Sequence, residues 1–113
     1  MTNTLIEDSN KVMKLNDLLR TTFQSGKVVL TEGIQALPLH IRGDLLKKVR
    51  EFNEFTEEND PYQEHDFGQV SVGEIKVFWK IDYYDLSMKY HSPDKEDPEV
   101  TVRVLTIMLT GEY

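Results

Sequence analysis

The most constraining feature of this chain is a strict alternation of side-chain character between Ile75 and Tyr84. A period of two over this length is typical of a β-strand with one buried face. The same stretch contains the only tryptophan, and aromatic side chains contribute the largest buried areas in a small domain. One face, which must pack against helices, consists of Ile75, Val77, Trp79, Ile81 and Tyr83. The other is amphipathic and consists of Lys76, Phe78, Lys80, Asp82 and Tyr84.

Length and composition exclude several classes of protein. The 113 residues suit a single domain over 1–113, with residues 1–4 expected to be disordered. There is no cysteine, so disulfides and thiolate chemistry are excluded. No apolar run approaches the roughly 20 residues that span a bilayer, and residues 1–10 lack the features of a signal peptide. We therefore expect a cytoplasmic protein with no membrane contact.

The acidic charge is concentrated in one segment, residues 51–66, which we call the acidic segment. The formal net charge of the chain is −7. This segment has no lysine or arginine, and it contains Glu51, Glu54, Glu57, Glu58, Asp60, Glu64 and Asp66. The 13 acidic residues elsewhere are matched by 13 basic residues. Bulk charge therefore argues against a phosphate-binding surface, and nucleic acid is not an expected partner.

The remaining patterns predict an α+β fold, in which a small antiparallel sheet of three to four strands packs against two or three helices. Three- and four-residue apolar spacings predict helices over 5–23 and 38–53. Short β-branched or alternating runs predict strands over 27–31, 67–72 and 75–84. Residues 54–65 are predicted to form a loop, anchored by Phe55 and Tyr62. The predicted core contains Leu19, Leu45, Val49, Ile75, Val77, Trp79 and Ile81.

The last fifteen residues, 99–113, carry conflicting signals. Asp97 and Pro98 have the residue types of a helix start, and Val100, Val104 and Met108 follow at four-residue spacing. The stretch Val-Thr-Val-Arg-Val is also typical of a strand. We favour a helix here, because cap signals are positional whereas propensity is a weak prior.

Several stretches together resemble a known bacterial family of small proteins, the domain of unknown function 3768. The resemblance runs from about Leu15 to Tyr113. It is carried by residues 28–31, 60–62, 64–68 (EHDFG), 79–85 (WKIDYYD), 92–94, 97–98 and 101–113 (TVRVLTIMLTGEY). Thr110 and Gly111 depart from the alanine and polar residue of the family pattern. The resemblance implies an origin on plasmids, prophages or genomes of alphaproteobacteria, and it implies no activity.

The strongest candidates for chemistry are His65, Asp66 and Asp82, which could serve as an acid–base group. With Asp85 and His91 they are also the only plausible set of metal ligands. No two histidines have a ligand spacing, however, so we expect no metal and no cofactor. The Asp66-Phe67-Gly68 sequence matches one kinase motif, but the other kinase motifs are missing and the chain is too short.

Two surfaces could bind a partner. The acidic segment offers Glu57, Glu58, Asp60 and Glu64, which would suit a basic protein. The amphipathic strand face offers Lys80, Asp82 and Tyr84, with Asp85 at its end. Lysines and aromatics on this face could also hold single-stranded nucleic acid, but Asp82 stands among them, and a solvated strand face is the simpler interpretation.

These observations lead to three hypotheses about function. The leading one is a protein–protein interaction or regulatory module that binds another protein. The second is a small metal-dependent or acid–base enzyme that uses His65, Asp66 and Asp82. The third is an acidic mimic of nucleic acid, or an inhibitor, carried by a mobile element. The sequence leaves the oligomeric state open.

Overall fold

The computed structural model describes residues 10–113 and confirms the α+β fold. The described helices are α1 (Lys11–Thr22), α2 (Glu32–Gln35) and α3 (Leu39–Glu51), and a 3₁₀ turn spans Thr110–Glu112. The strands are β1 (Lys27–Leu30), β2 (Phe67–Val72), β3 (Ile75–Tyr84) and β4 (Val102–Leu109). The predicted strands 67–72 and 75–84 are confirmed at both ends. The predicted start of the first helix, and the disorder expected for residues 1–4, lie outside the described residues.

The four strands form one sheet in the order β1-β4-β3-β2. β2 and β3 form an antiparallel hairpin in which Val72 pairs with Ile75. Gly73, the first of the two turn residues, has a φ of 59°, and a type II′ turn requires a positive φ at this position. β4 runs antiparallel to β3 and parallel to β1. The prediction of an antiparallel sheet is therefore wrong for β1, whose only neighbour in the sheet is β4, a strand that runs in the same direction.

The predicted C-terminal helix is wrong, since residues 102–109 form β4 in the interior of the sheet. Both edges of β4 are paired, and buried residues occur on both of its faces. The helix-start signal instead closes a turn, in which Asp97 accepts a hydrogen bond from the backbone N–H of Glu99 through its side chain. Pairing with two neighbours outweighs the local cap signal, and β-branched residues suit this position.

The helices cover one face of the sheet and enclose the core. Of the predicted core, Leu19, Leu45, Val49, Val77, Trp79 and Ile81 are buried, while Ile75 is partly buried. The other face is uncovered by any helix among residues 10–113; Tyr113 contacts Phe67 and Phe78 there through ring-edge packing. No helix in the described part of the chain is both long enough and apolar enough to cross a membrane.

Trp79 is at the centre of the core, and Gly68 on the neighbouring strand makes room for it. The two residues are directly paired, and a Cβ atom at position 68 would lie 2.5 Å from the indole nitrogen. Phe52 and Phe55 pack against the indole with their edges, at centroid distances of 5.5 and 6.1 Å. A glycine is therefore required at position 68 by packing against the tryptophan.

We expect Gly68→Ala to lower the free energy of unfolding by about 1–3 kcal/mol, the usual cost of overpacking a core. Gly43→Ala is the matched control, because Gly43 is exposed inside α3 with open space around its missing side chain. That change should raise stability by about 0.5–1 kcal/mol. Urea unfolding of both variants measures the difference, and equal stabilities would contradict this account of Gly68.

Candidate functional site

The sheet separates the three residues proposed for acid–base chemistry. Asp82 lies on the uncovered face, where its carboxylate is 3.1 Å from the Lys80 ammonium. Asp66 lies on the helix-covered side, where it accepts a long hydrogen bond of 3.4 Å from the hydroxyl of Tyr83. Neighbouring side chains of a strand point to opposite faces, so Asp82 and Tyr83 cannot serve one cleft. The proposed trio therefore does not form a common site.

The acidic segment begins at the end of α3 and forms the connection to β2. As predicted, residues 54–65 form a loop without regular structure. Phe55 packs against the core as expected, but Tyr62 is 84% exposed and is not an anchor. Four of the segment's carboxylates are exposed, those of Glu51, Glu54, Glu57 and Glu58.

The loop has a defined conformation that its own hydrogen bonds maintain. The backbone N–H of Thr56 donates to the side chain of Asn59 at 2.8 Å, and the N–H of Asn59 donates to the hydroxyl of Thr56 at 3.2 Å. Asn59 also donates to the carbonyl of Glu54 at 2.9 Å. Such reciprocal side-chain bonds satisfy turn amides in the same way as a helix cap. The exposed carboxylates are thus presented on an ordered loop.

Asp60 is 6% exposed and forms the inner end of this loop. Its Oδ1 accepts hydrogen bonds from the backbone N–H groups of Glu64 and His65, at 3.0 and 3.1 Å. Because its carboxylate points inward, Asp60 does not belong to the exposed part of the predicted binding surface. Glu64 is partly buried, and its carboxylate pairs with the ammonium of Lys95.

His65 lies between two carboxylates beneath the loop. Its Nδ1 is 2.9 Å from Oδ1 of Asp17, and its Nε2 is 3.6 Å from Oδ2 of Asp60. The imidazole stacks on the ring of Phe55 at 3.6 Å, and the backbone of His65 has a φ of 55°, which is uncommon for a residue other than glycine. The site therefore has the residue types of a catalytic dyad, and the partly buried imidazole, with a carboxylate near each ring nitrogen, lines a pocket of about 250 Å³.

Arg20 lies under the same loop and is 3% exposed. Its guanidinium donates to the carbonyls of Val49, Arg50 and Phe52, at 2.9 to 3.2 Å. It also pairs with Asp17 at 3.0 Å and lies about 5 Å from the rings of Phe55 and Trp79. A cation at the end of a helix satisfies its last carbonyls and complements its dipole, so Arg20 joins α1 to the end of α3.

Asn16, one turn earlier on α1, is fully buried and joins three parts of the chain. Its amide nitrogen donates to the hydroxyl of Tyr83 at 2.7 Å and to the carbonyl of Glu64 at 2.9 Å. Its amide oxygen accepts from Nε of Arg103 at 3.0 Å. The guanidinium of Arg103 also donates to the carbonyl of Lys95 and lies over the ring of Tyr83. Asn16 therefore uses both donor and acceptor groups in holding β3, β4 and the acidic segment together.

Burial shifts the pKa of three groups near Asn16, namely Tyr83, Asp66 and Arg103. Desolvation raises the pKa of Tyr83, and the neighbouring Asp66 and Glu64 raise it further. Desolvation also raises the pKa of Asp66, with an additional contribution from the charge of Glu64. For Arg103, burial lowers the pKa, because it disfavours the charged guanidinium. Tyr83 is hydrogen-bonded to Asp66 and lies under the guanidinium of Arg103, as expected for a structural network.

On the uncovered face, three predicted residues meet in one open groove of about 440 Å³. Lys80, Asp82 and Tyr84 line it together with Thr31, Thr106, Met108, Glu112 and Tyr113. Asp85 instead organises the turn that follows β3, where it accepts hydrogen bonds from the Ser87 hydroxyl and the N–H of Lys89. The bond from Ser87 is the main reason that the pKa of Asp85 is lowered.

No group of three or more histidine, aspartate or glutamate side chains within residues 10–113 is arranged to hold a metal ion. The predicted ligand set is dispersed. His65 and Asp66 lie on the helix-covered side, Asp82 lies on the open face, and Asp85 and His91 flank the turn after β3.

Sequence reasoning missed Asn16, Asp17, Arg20 and Arg103. Together with His65, Asp66 and Tyr83 they form the polar cluster beneath the loop. A usable signal was present, since Asn16 and Arg20 are four residues apart on the same buried stripe as Val12 and Leu19. Polar residues on an apolar helix face must find partners, because an unpaired buried polar group costs about 1–3 kcal/mol.

The chain belongs to the family described as "Protein of unknown function (DUF3768)", whose profile matches residues 30–112. No curated protein and no solved structure matches the chain. The match includes His65, Asp66, Gly68, Trp79 and Tyr83, whereas Asn16, Asp17 and Arg20 precede it.

We expect Asn16→Ala to lower the free energy of unfolding by about 2–4 kcal/mol, because it leaves several buried groups unpaired. Asn53→Ala should change stability by less than about 0.5 kcal/mol, since Asn53 is exposed. Chemical unfolding of the two variants tests this. A small effect at Asn16 would show that water can replace its hydrogen bonds.

We expect Asp66→Asn to stabilise the protein at neutral pH but not in acid. Because the folded-state pKa of Asp66 is raised above 3.8, its contribution to stability is complete below that value and is lost as the pH rises through the folded-state pKa. The uncharged variant escapes this loss. Unfolding of both proteins from pH 3 to pH 8 should give curves that diverge as the pH rises, and parallel curves would contradict the prediction.

Proposed function

We propose that the protein is a protein–protein interaction module whose acidic segment binds a basic partner. The observation that carries this proposal is a set of four exposed carboxylates, that of Glu51 at the end of α3 and those of Glu54, Glu57 and Glu58 on the ordered loop that follows. None of the four forms an ion pair with another described residue. Unpaired charges of one sign attract a partner of the opposite sign and accelerate its encounter.

The internal order of the loop supports a docking role over a purely solubilising one. Charge alone keeps a protein soluble and does not require a fixed loop conformation. Here Asn59 fixes the turn, Phe55 packs against Trp79, and the buried Asp60 binds two backbone amides. A loop that is ordered before binding loses less conformational entropy when the partner arrives. The fixed loop also sets the spacing between the exposed carboxylates, and this spacing would favour partners whose positive charges match it.

The polar cluster beneath the loop supports binding more than catalysis. His65 and Asp17 are turned towards each other, and Asn16 is fully buried. Arg20 is bonded to the backbone of α3 and of the residue that follows it. A catalytic group needs a free position within about 3 Å at which a substrate atom can react. These side chains instead bond one another, and we assign them the role of holding the loop in place.

We expect the triple variant Glu54→Lys, Glu57→Lys and Glu58→Lys to lose its partner, with a fall in affinity of at least about tenfold, or ~1.4 kcal/mol. The matched control is Glu74→Lys, Glu96→Lys and Glu99→Lys, which makes the same change of charge at exposed positions outside the acidic segment. Proteins retained from a host extract by the wild type and the control, but not by the loop variant, would be purified for titration.

The affinity of the purified partner should fall steeply between 50 and 500 mM salt, because exposed charges are screened. Circular dichroism and urea unfolding would establish that both triple variants are folded. If the loop variant retains the same partners with the same affinity as the control, the acidic segment is only solubilising and the proposal fails.

A further inference from the structure

The outer edge of the sheet at β2 has backbone groups without strand partners. β2 pairs only with β3, and the N–H of Ile81 donates to the carbonyl of Asp66. In an antiparallel pair, residues alternate between those bonded to the neighbouring strand and those directed away from it. Asp66 is bonded to Ile81 and therefore faces β3. The alternation then directs the backbone groups of Phe67, Gln69 and Ser71 away from β3.

A side chain already occupies part of this edge. The Lys48 ammonium donates to the carbonyl of Ser71 at 2.7 Å, which agrees with the outward direction of that carbonyl. The N–H and carbonyl of Gln69 have no such bond to another residue within 10–113. Exposed strand edges of this kind are templates for the addition of another strand, and lysine commonly protects them. Lys48 protects one end of the edge and leaves its centre accessible.

A groove runs beside this edge and ends at the acidic segment. It has a volume of about 360 Å³ and lies between β2 and the end of α3. Gln69, Val70 and Ser71 form its strand side, and Phe52 and Asn53 line it from the loop side. The exposed carboxylates of Glu51 and Glu54 also line the groove. Free backbone groups and unpaired negative charge thus face the same space, while the ammonium of Lys48 lies at the Ser71 end of the groove.

We propose that this groove binds an extended, basic segment of the partner protein, which adds to the edge of β2 as a further strand. Backbone hydrogen bonds to Gln69 would supply binding energy that is independent of sequence, as in other cases of strand addition. Lysine or arginine side chains of the segment would meet Glu51 and Glu54. This inference rests on the proposed function, and it adds the conformation and the chemistry of the bound segment.

The first test is amide hydrogen exchange measured by NMR with a capped heptapeptide that alternates lysine and valine. At about 90% occupancy, the amides of Gln69 and Ser71 should exchange about tenfold more slowly, because only the free protein exchanges. The amides of Gly68 and Val70, which already bond to β3, should change little. A capped peptide that alternates glutamate and valine is the charge control and should not protect these amides. Absence of protection at Gln69 and Ser71 would overturn the inference, as would equal protection by the glutamate peptide.

The second test is Gln69→Pro, which removes the outward N–H and obstructs the edge. Proline is tolerated on edge strands where its nitrogen faces solvent, so the ladder to β3 is retained. The affinity for the lysine peptide should fall about tenfold, whereas Gln69→Ala, which keeps the N–H, should bind as the wild type does. Unchanged affinity in the folded proline variant would overturn the inference, and if that variant does not fold, the exchange experiment on the wild type decides.

Failure of this inference is distinguishable from failure of the proposed function. If binding of the purified partner is lost in the triple variant at Glu54, Glu57 and Glu58, but the partner does not protect Gln69 and Ser71, the acidic segment binds a partner and the strand-addition mode is wrong. If the lysine peptide protects both amides while the triple charge reversal leaves partner binding unchanged, the edge site stands and the proposed function of the acidic segment fails.

Discussion

The packing of Trp79 against Gly68 is the contact on which the rest of the structure depends. The indole fills the space between the sheet and the helices, and Phe52, Phe55 and Arg20 all pack against it. Arg20 in turn binds the last carbonyls of α3, where the acidic segment begins. Burial of one large aromatic ring therefore determines where the charged loop emerges. Since aromatic rings provide much of the burial energy of a small domain, a change at Trp79 would alter both the stability and the position of the loop.

The polar residues beneath the loop show how a motif can suggest chemistry and yet serve packing. His65 and Asp66 have the residue types of an acid–base site, and the segment Glu64–Gly68 lies within the family match. Each residue nevertheless has a structural partner: His65 contacts Asp17, Asp66 contacts Tyr83, and Gly68 admits the indole of Trp79. Buried polar groups that are paired in this way favour one arrangement of the chain, because an alternative arrangement would leave these donors and acceptors unsatisfied.

The surface that remains for function combines two elements that are adjacent in the fold. The acidic segment carries the unpaired charge, and the edge of β2 carries the unpaired backbone groups. Glu51 and Glu54 belong to both, because they lie where α3 ends beside the strand. Charge of this kind increases the rate of encounter, whereas backbone pairing determines the geometry of the complex. A partner that used both elements would be selected by its positive charge and by the ability of its bound segment to adopt an extended conformation.

Much of this fold follows from local sequence patterns. The alternation from Ile75 to Tyr84 is enough to identify β3 and its two faces, because neighbouring side chains of a strand point in opposite directions. The concentration of acidic residues between 51 and 66 is likewise visible without a structure. Other features depend on residues that are distant in the chain. Residues 102–109 become a strand because β1 and β3 pair with them on both sides, and the parallel pairing of β1 with β4 joins residues near opposite ends of the chain.

The same distinction applies to the candidate site. Sequence alone determined that residues 54–65 form an acidic loop and that Lys80, Asp82 and Tyr84 share one face of β3, since charge and strand period are local properties. Only the tertiary structure decided that Asp60 points inward, that Asp82 and Asp66 lie on opposite sides of the sheet, and that Asn16 and Arg20 hold the loop from below. These outcomes depend on hydrogen bonds between residues up to 87 positions apart, and no local pattern encodes such distances.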